Sequence, residues 1–135
     1  MLIHFSQQVD LSELTLIQID AHADLRDEVV GDPDSQACGT RRSLDRGVSK
    51  ILQIGIRTFA REEAIFAAED SRVESWLARD ILNPCGGEAM WLNWLNTLSE
   101  IEGPVWLTLD LDGLDVAYVP TTRPPVPGGL AYWQV

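Results

Sequence analysis

Three short apolar runs, each ending on polar residues, set the tightest limit on how this chain folds. They are "LTLIQI" at residues 14–19, "ILQIGI" at 51–56 and "VWLTL" at 105–109. Runs of this length rich in β-branched residues read as strands buried on both faces, the signature of a parallel sheet. In such sheets function gathers at the carboxyl edge, where each run hands over to Asp20, Arg57 or Asp110. Between the runs the period changes. "REEAIFAAEDSRVESWLARDIL", residues 61–82, has helical spacing with an interruption near Asp70 and Ser71, and Asn83-Pro84 with Gly86-Gly87 ends it. Residues 87–101 read as the next helix, with an apolar stripe of Met90, Trp91, Trp94, Leu95 and Leu98. Its tryptophans are expected in the core rather than around a ligand. Gly103-Pro104 then turns the chain into the third run. Alternating strand and helix predicts an α/β layered fold with a mainly parallel sheet.

From Val119 onward, four of the seven prolines fall within 17 residues and exclude a central strand there, so a long rigid loop is expected over the sheet edge. The length of 135 residues fits a single domain. Only 13 residues precede the first strand, and "LAYWQV" reads as the start of another element, so the domain 1–135 is expected to be incomplete at both ends.

Ten Lys and Arg against 21 Asp and Glu give a formal net charge of -11. Nucleic acid and anionic membrane are disfavoured as partners, because both need a positive footprint. The same acidity suits cations, whether metal ions or amine and guanidine substrates. Cys38 and Cys85 have no CxxC arrangement and are expected as free thiols, and no 18-residue apolar run is present. Cytoplasm is the expected location.

The chemistry lies where the first and third runs end. "DAHAD" places Asp20, His22 and Asp24 at alternate positions, on one side of an extended chain. "LDLDGLD", residues 109–115, repeats the device with Asp110 and Asp112. Four carboxylates and one imidazole would converge on one sheet edge, and like charges so close raise each other's proton affinity unless a cation is present. A calcium loop is excluded by spacing, since position five after Asp110 is Leu114 and position twelve is Thr121. One nitrogen among many oxygens favours manganese over structural zinc. Bridging carboxylates would permit two ions about 3.5 to 4 Å apart.

These stretches resemble the ureohydrolase family, which includes arginase, agmatinase, guanidinobutyrase and formimidoylglutamase. The matching segments are "LIQIDAHADLRD" at 16–27, "QIGIR" at 53–57 and "LTLDLDGLD" at 107–115 followed by "PGGL" at 127–130, while "ACGTRR" at 37–42 is closer to the agmatinase branch. The resemblance implies a three-layer α/β/α fold, a truncated version of the arginase-like fold, with two Mn2+ ions at the carboxyl edge. It implies that Asp20 and Asp110 bridge both ions, that His22 and Asp112 bind one and that Asp24 binds the other. Asp24 and Asp110 are the catalytic candidates among these ligands, and Asp115 is expected to be structural. A small cationic guanidino substrate would be hydrolysed to urea and an amine. A homo-oligomer is expected as well, since an open parallel edge invites pairing.

The chain departs from the family pattern at several points. The upstream GGDHS segment with its ligand histidine is absent, and His4 lacks a glycine-rich context. Gln36 stands where a proton-transferring histidine is expected, and Arg123 replaces a small residue at the substrate mouth. The glutamate that pairs with guanidinium would lie beyond Val135. Two alternatives follow: a non-catalytic metal-binding or assembly module, and an enzyme for a carboxylate-bearing substrate such as guanidinobutanoate or formiminoglutamate, held by Arg123.

Overall fold

The computed structural model describes residues 9–122 and 124–135. Four strands, β1 (Thr15–Ile19), β2 (Lys50–Ile56), β3 (Val73–Leu77) and β4 (Val105–Leu109), form one sheet in the order β3-β2-β1-β4. All pairings are parallel. The expected strands appear within one residue of their predicted bounds.

β3 is the exception, because it lies inside the stretch whose composition predicts a helix over 61–82. The helix α2 (Arg61–Glu69) stops at Asp70 instead. The Asp70 carboxylate accepts the Arg72 backbone N–H at 3.0 Å and its guanidinium at 2.9 and 2.6 Å, and Val73 N–H closes the turn on Asp70 O at 3.0 Å. The chain then leaves the turn extended and pairs with β2. Val73 and Trp76 are buried on alternate sides, and a four-residue helix, α3 (Ala78–Ile81), follows. Helix-forming composition yields here to burial on the sheet edge.

The remaining helices are α1 (Gly39–Asp45) and α4 (Gly87–Ser99). Leu16, Ile51 and Val73 form a cross-strand row that packs with Leu44 of α1 and Phe66 and Ala67 of α2. Leu52, Ile54 and Trp76 pack on the other face with Ile81 of α3 and Trp94 of α4. Helices on both faces of a parallel sheet make three layers, as expected. Trp94 is 3% exposed and meets Trp76 edge-on, with ring centroids 5.0 Å apart, while Trp76 Nε1–H donates to Asn93 Oδ1. Leu95, placed in the predicted stripe, is exposed, and Trp133 stands clear of the core.

β4 is covered less well. Val105, Leu107 and Leu109 are exposed along one side of it, and among the described residues it is the end strand of the sheet. A 3-10 turn, Leu111–Gly113, follows it, and from Val119 the described residues form a loop, as expected, that ends in a short 3-10 turn at Tyr132–Gln134. Cys38 is buried and Cys85 exposed, both as free thiols. Among the described residues no helix is long and apolar enough to cross a membrane.

Replacing Trp94 by Ala removes the buried side chain with which α4 meets Trp76 of the sheet. We expect a loss of about 3 to 5 kcal/mol, read as a lower urea midpoint at unchanged slope.

Candidate metal centre

β1 is flanked on both sides, and its pairing runs past its last residue. Asp20 N–H donates to Ile54 O at 3.2 Å, and Asp110 N–H donates to Ile19 O at 2.9 Å. The two aspartate motifs therefore leave the sheet side by side. A bridge between His22 and Thr58 extends the β1–β2 ladder, with Arg57 and Thr58 both donating to Ala21 O. Gly113 explains how the second aspartate motif folds back onto the first. A Cβ there would lie 2.9 Å from Asp20 N and 3.0 Å from Ile19 C, so only glycine permits this approach.

Each side chain at the centre is held by the backbone or by a buried neighbour. Asp20 Oδ1 accepts the His22 backbone N–H at 2.7 Å, and Asp20 Oδ2 accepts Gln18 Nε2–H at 2.9 Å. Asp112 Oδ1 accepts the Ala21 N–H at 3.1 Å. His22 Nδ1 lies 3.0 Å from Asp112 Oδ2 and 3.5 Å from Asp20 Oδ1. Ligand atoms of Asp20, His22 and Asp112 all fall within 4.8 Å of one another. An imidazole nitrogen with two carboxylates is a donor set that fits a divalent ion taking mixed oxygen and nitrogen ligands.

The electrostatics agree with a cation site. Burial pushes the Asp20 pKa up to about 6, against the pull of the hydrogen bonds from His22 N–H and Gln18, and Asp112 and Asp110 raise it further. Burial likewise pushes Asp24 up to about 7, with the Asp20 charge next in importance. Carboxylates held this way pay a penalty for ionising that a bound cation removes.

The five expected ligands do not all enter the compact group. Asp24 and Asp110 flank it: the Asp110 charge raises Asp20, and the Asp20 and Asp110 charges raise Asp24. The Asp24 backbone is left-handed at φ 53°, and its carbonyl accepts the Thr40 and Arg41 N–H groups, which ties the motif to α1. Asp110 Oδ1 accepts the Asp112 N–H at 3.3 Å. Gln36 is exposed at the start of a 3-10 turn. Arg123 and His4 lie outside the described residues. Asp115 has the structural role expected of it, its carboxylate accepting the N–H groups of Ala117, Gly128 and Gly129. Gly129 of "PGGL" has no room for a Cβ, which would sit 2.5 Å from Leu114 C.

Sequence reasoning missed several residues that hold the centre in shape. Arg57 donates to the carbonyls of Asp112 and Val126 at 2.6 Å each, and reaches Pro127, Gly55 and Leu114 as well. One guanidinium thus fastens β2 to both loops. Glu63 is buried and accepts Leu25 N–H at 3.0 Å and Ala60 N–H at 2.7 Å, locking the end of "DAHADL" to the start of α2. Gln18 and Gln53 are buried amides in the strands. Their one visible signal is a polar residue in the middle of an apolar run.

The arginase-family model matches residues 4–135. The chain belongs to the arginase family. It is 35% identical over 125 residues to an agmatinase of Pyrococcus horikoshii, covering 93% of this chain and 41% of that protein. It is 36% identical over 122 residues to an N(1)-aminopropylagmatine ureohydrolase of Synechocystis, covering 89% and 37%. Among solved structures, the agmatine ureohydrolase of Thermoplasma volcanium superposes with a TM-score of 0.74 at 30% identity, over 91% of this chain and 40% of that one. This arginase-family chain thus spans about 40% of the length of the curated relatives it matches.

The raised Asp24 pKa fixes a sign. The folded chain holds a proton that the unfolded chain has lost, so the contribution of Asp24 to stability is present below about pH 4 and disappears as pH rises through about 7. Asparagine tolerates the left-handed backbone and carries no charge. In metal-free buffer, Asp24→Asn should therefore gain on the parent chain between pH 4 and pH 8, by about 2 kcal/mol after allowing for solvent screening. Paired urea titrations across that range measure the difference, and a constant offset would contradict it.

Proposed function

We propose that the chain carries the metal centre of an agmatinase-like ureohydrolase, which hydrolyses a guanidino compound to urea and an amine. One observation carries this reading: Asp20, His22 and Asp112, from two distant motifs, converge within 4.8 Å at the carboxyl end of the sheet in an arginase-family chain. These residues would hold a divalent ion, Mn2+ by the oxygen-rich donor set. Asp24 and Asp110 beside them would complete a site for two. Ions in such a site supply Lewis acidity and lower the pKa of water toward neutrality.

The chain's own residues supply attraction and orientation. Asp20, Asp24, Asp110 and Asp112 form an acidic field that draws a guanidinium to the sheet edge. Asp24 and Asp110 take the catalytic role, as carboxylates that orient the reacting guanidinium. Water adds to the guanidinium carbon, the bond from that carbon to the alkylamine nitrogen breaks, and the proton leaves with the amine. The names of the relatives support a substrate of the agmatine type. Residues 1–135 are read as one ureohydrolase-like α/β domain. The reading also includes a cytoplasmic setting, supported by the free thiols, and self-association, supported by the exposed Val105, Leu107 and Leu109 of the end strand β4.

A second reading, metal binding without turnover, is favoured by Gln36. Glutamine has no titrating group for proton transfer where the family resemblance calls for histidine. The carboxylate-bearing substrate rests on Arg123, outside the described residues.

Titration of the purified chain with Mn2+, following free ion by electron paramagnetic resonance, tests the centre. Binding weakened at least about tenfold by Asp20→Asn or Asp112→Asn is expected. Unchanged binding in both variants would remove the metal-centre reading. Urea release from agmatine, abolished by Asp110→Asn, supports the enzyme, and bound Mn2+ with no urea supports the module.

A further inference from the structure

We infer that Gln53 is a positioning residue for the metal centre, setting the orientation of Asp20 through Gln18 by a hydrogen-bond relay that crosses three strands. The inference rests on the metal-centre reading above and deepens it. Gln18 of β1 is the register partner of Gln53 of β2, which is the register partner of Ser75 of β3. The three stand in one row across the sheet, on the face covered by α1. Gln18 is 2% exposed and Gln53 is fully buried. Buried amides are costly unless their donors and acceptors are paired, so their bonding pattern carries information.

The pattern is complete. Ser75 Oγ–H donates to Gln53 Oε1 at 2.9 Å. The Gln53 amide NH2 donates to Gln18 Oε1 and to Ala23 O, both at 2.6 Å. Gln18 Oε1 also accepts the Thr40 hydroxyl of α1 at 2.8 Å. The Gln18 NH2 then donates to Asp20 Oδ2 at 2.9 Å and to His22 O at 3.2 Å.

Only one polarity satisfies this network. Turning the Gln18 amide over would set its oxygen against Asp20 Oδ2 and His22 O, two acceptors. Its NH2 would then face the Gln53 NH2. Turning Gln53 over would set its oxygen against Gln18 Oε1 and Ala23 O. Gln53 therefore decides which end of Gln18 faces the centre, although it touches no expected ligand side chain. With Oδ2 taken by the amide and Oδ1 by the His22 N–H, the Asp20 carboxylate plane is fixed at both oxygens before any ion arrives. Groups fixed in advance need no reorganisation on binding, and loss of such support typically weakens a metal site tenfold or more.

The test is the Mn2+ affinity of the full chain, read by electron paramagnetic resonance of free ion at a temperature where each variant is folded by circular dichroism. Gln53→Met keeps the volume and removes both amide functions. We expect it to weaken binding about tenfold, and we expect the double variant with Gln18→Met to lose no more than Gln18→Met alone, because both act along one path. Ile81→Ala, in the opposite core, serves as a control that lowers stability and leaves affinity unchanged. If Gln53→Met does not fold, Ser75→Ala on the edge strand removes one link, with roughly a twofold loss expected. Unchanged affinity in whichever of these variants folds, or additive losses in the double variant, would overturn the inference. Failure of the centre itself is seen separately, as Mn2+ binding that survives Asp20→Asn.

Discussion

The structure depends on the parallel pairing of β1 with β4 in the register Ile19 against Leu109. That register brings the chain out of the sheet at Asp20 and Asp110 together, although 90 positions separate them in the chain. A slip by one residue would turn Asp20 or Asp110 to the other face, since side chains alternate along a strand. Placing carboxylates at this edge is unfavourable by itself, because burial raises Asp20 and Asp24 well above the ordinary carboxylate range. The fold accepts that cost where backbone N–H groups and a buried amide reach the carboxylates, and where a cation would offset the rest.

Around this edge, small and polar residues act as fasteners. Gly113 lets the second aspartate motif touch the backbone of the first, Arg57 ties β2 to both loops, and Asp115 gathers three backbone N–H groups from its own loop and from "PGGL". Glu63 performs the same service for the loop after "DAHAD". The two hydrophobic layers hold the sheet in place, and these polar fasteners hold the site on the sheet. Apolar burial is non-directional, whereas hydrogen bonds select one arrangement of the loops.

Much of this was legible in the residues alone. β1, β2 and β4 announce themselves as apolar runs, and α4 by its stripe of apolar residues. β3 does not, because "VESWL" sits among helix formers and becomes a strand through the Asp70 turn and its pairing with Ile51 and Ile54. The acidic motifs identified Asp20, His22 and Asp112, whereas Gln18, Gln53, Arg57 and Glu63 gave no comparable signal. Each of these roles involves at least one partner 22 to 70 positions away, and no local pattern encodes such distances. Gln36 was marked as a substrate-mouth candidate by its position in the chain, and the structure places it, exposed, at the start of a 3-10 turn.

By itself the sequence determined the class of fold, the acidic character of the molecule and the residue types available at the sheet edge. Period, length and composition express those properties locally. Only the tertiary structure decided which carboxylates meet, because strand register and loop closure are long-range events. It drew Asp20, His22 and Asp112 into one group, left Asp24 and Asp110 at its flanks, and turned two glutamines buried in strands into a relay that aims Asp20. The physical reason is that a ligand's chemistry belongs to its own side chain, whereas its orientation belongs to the neighbours that hydrogen-bond it.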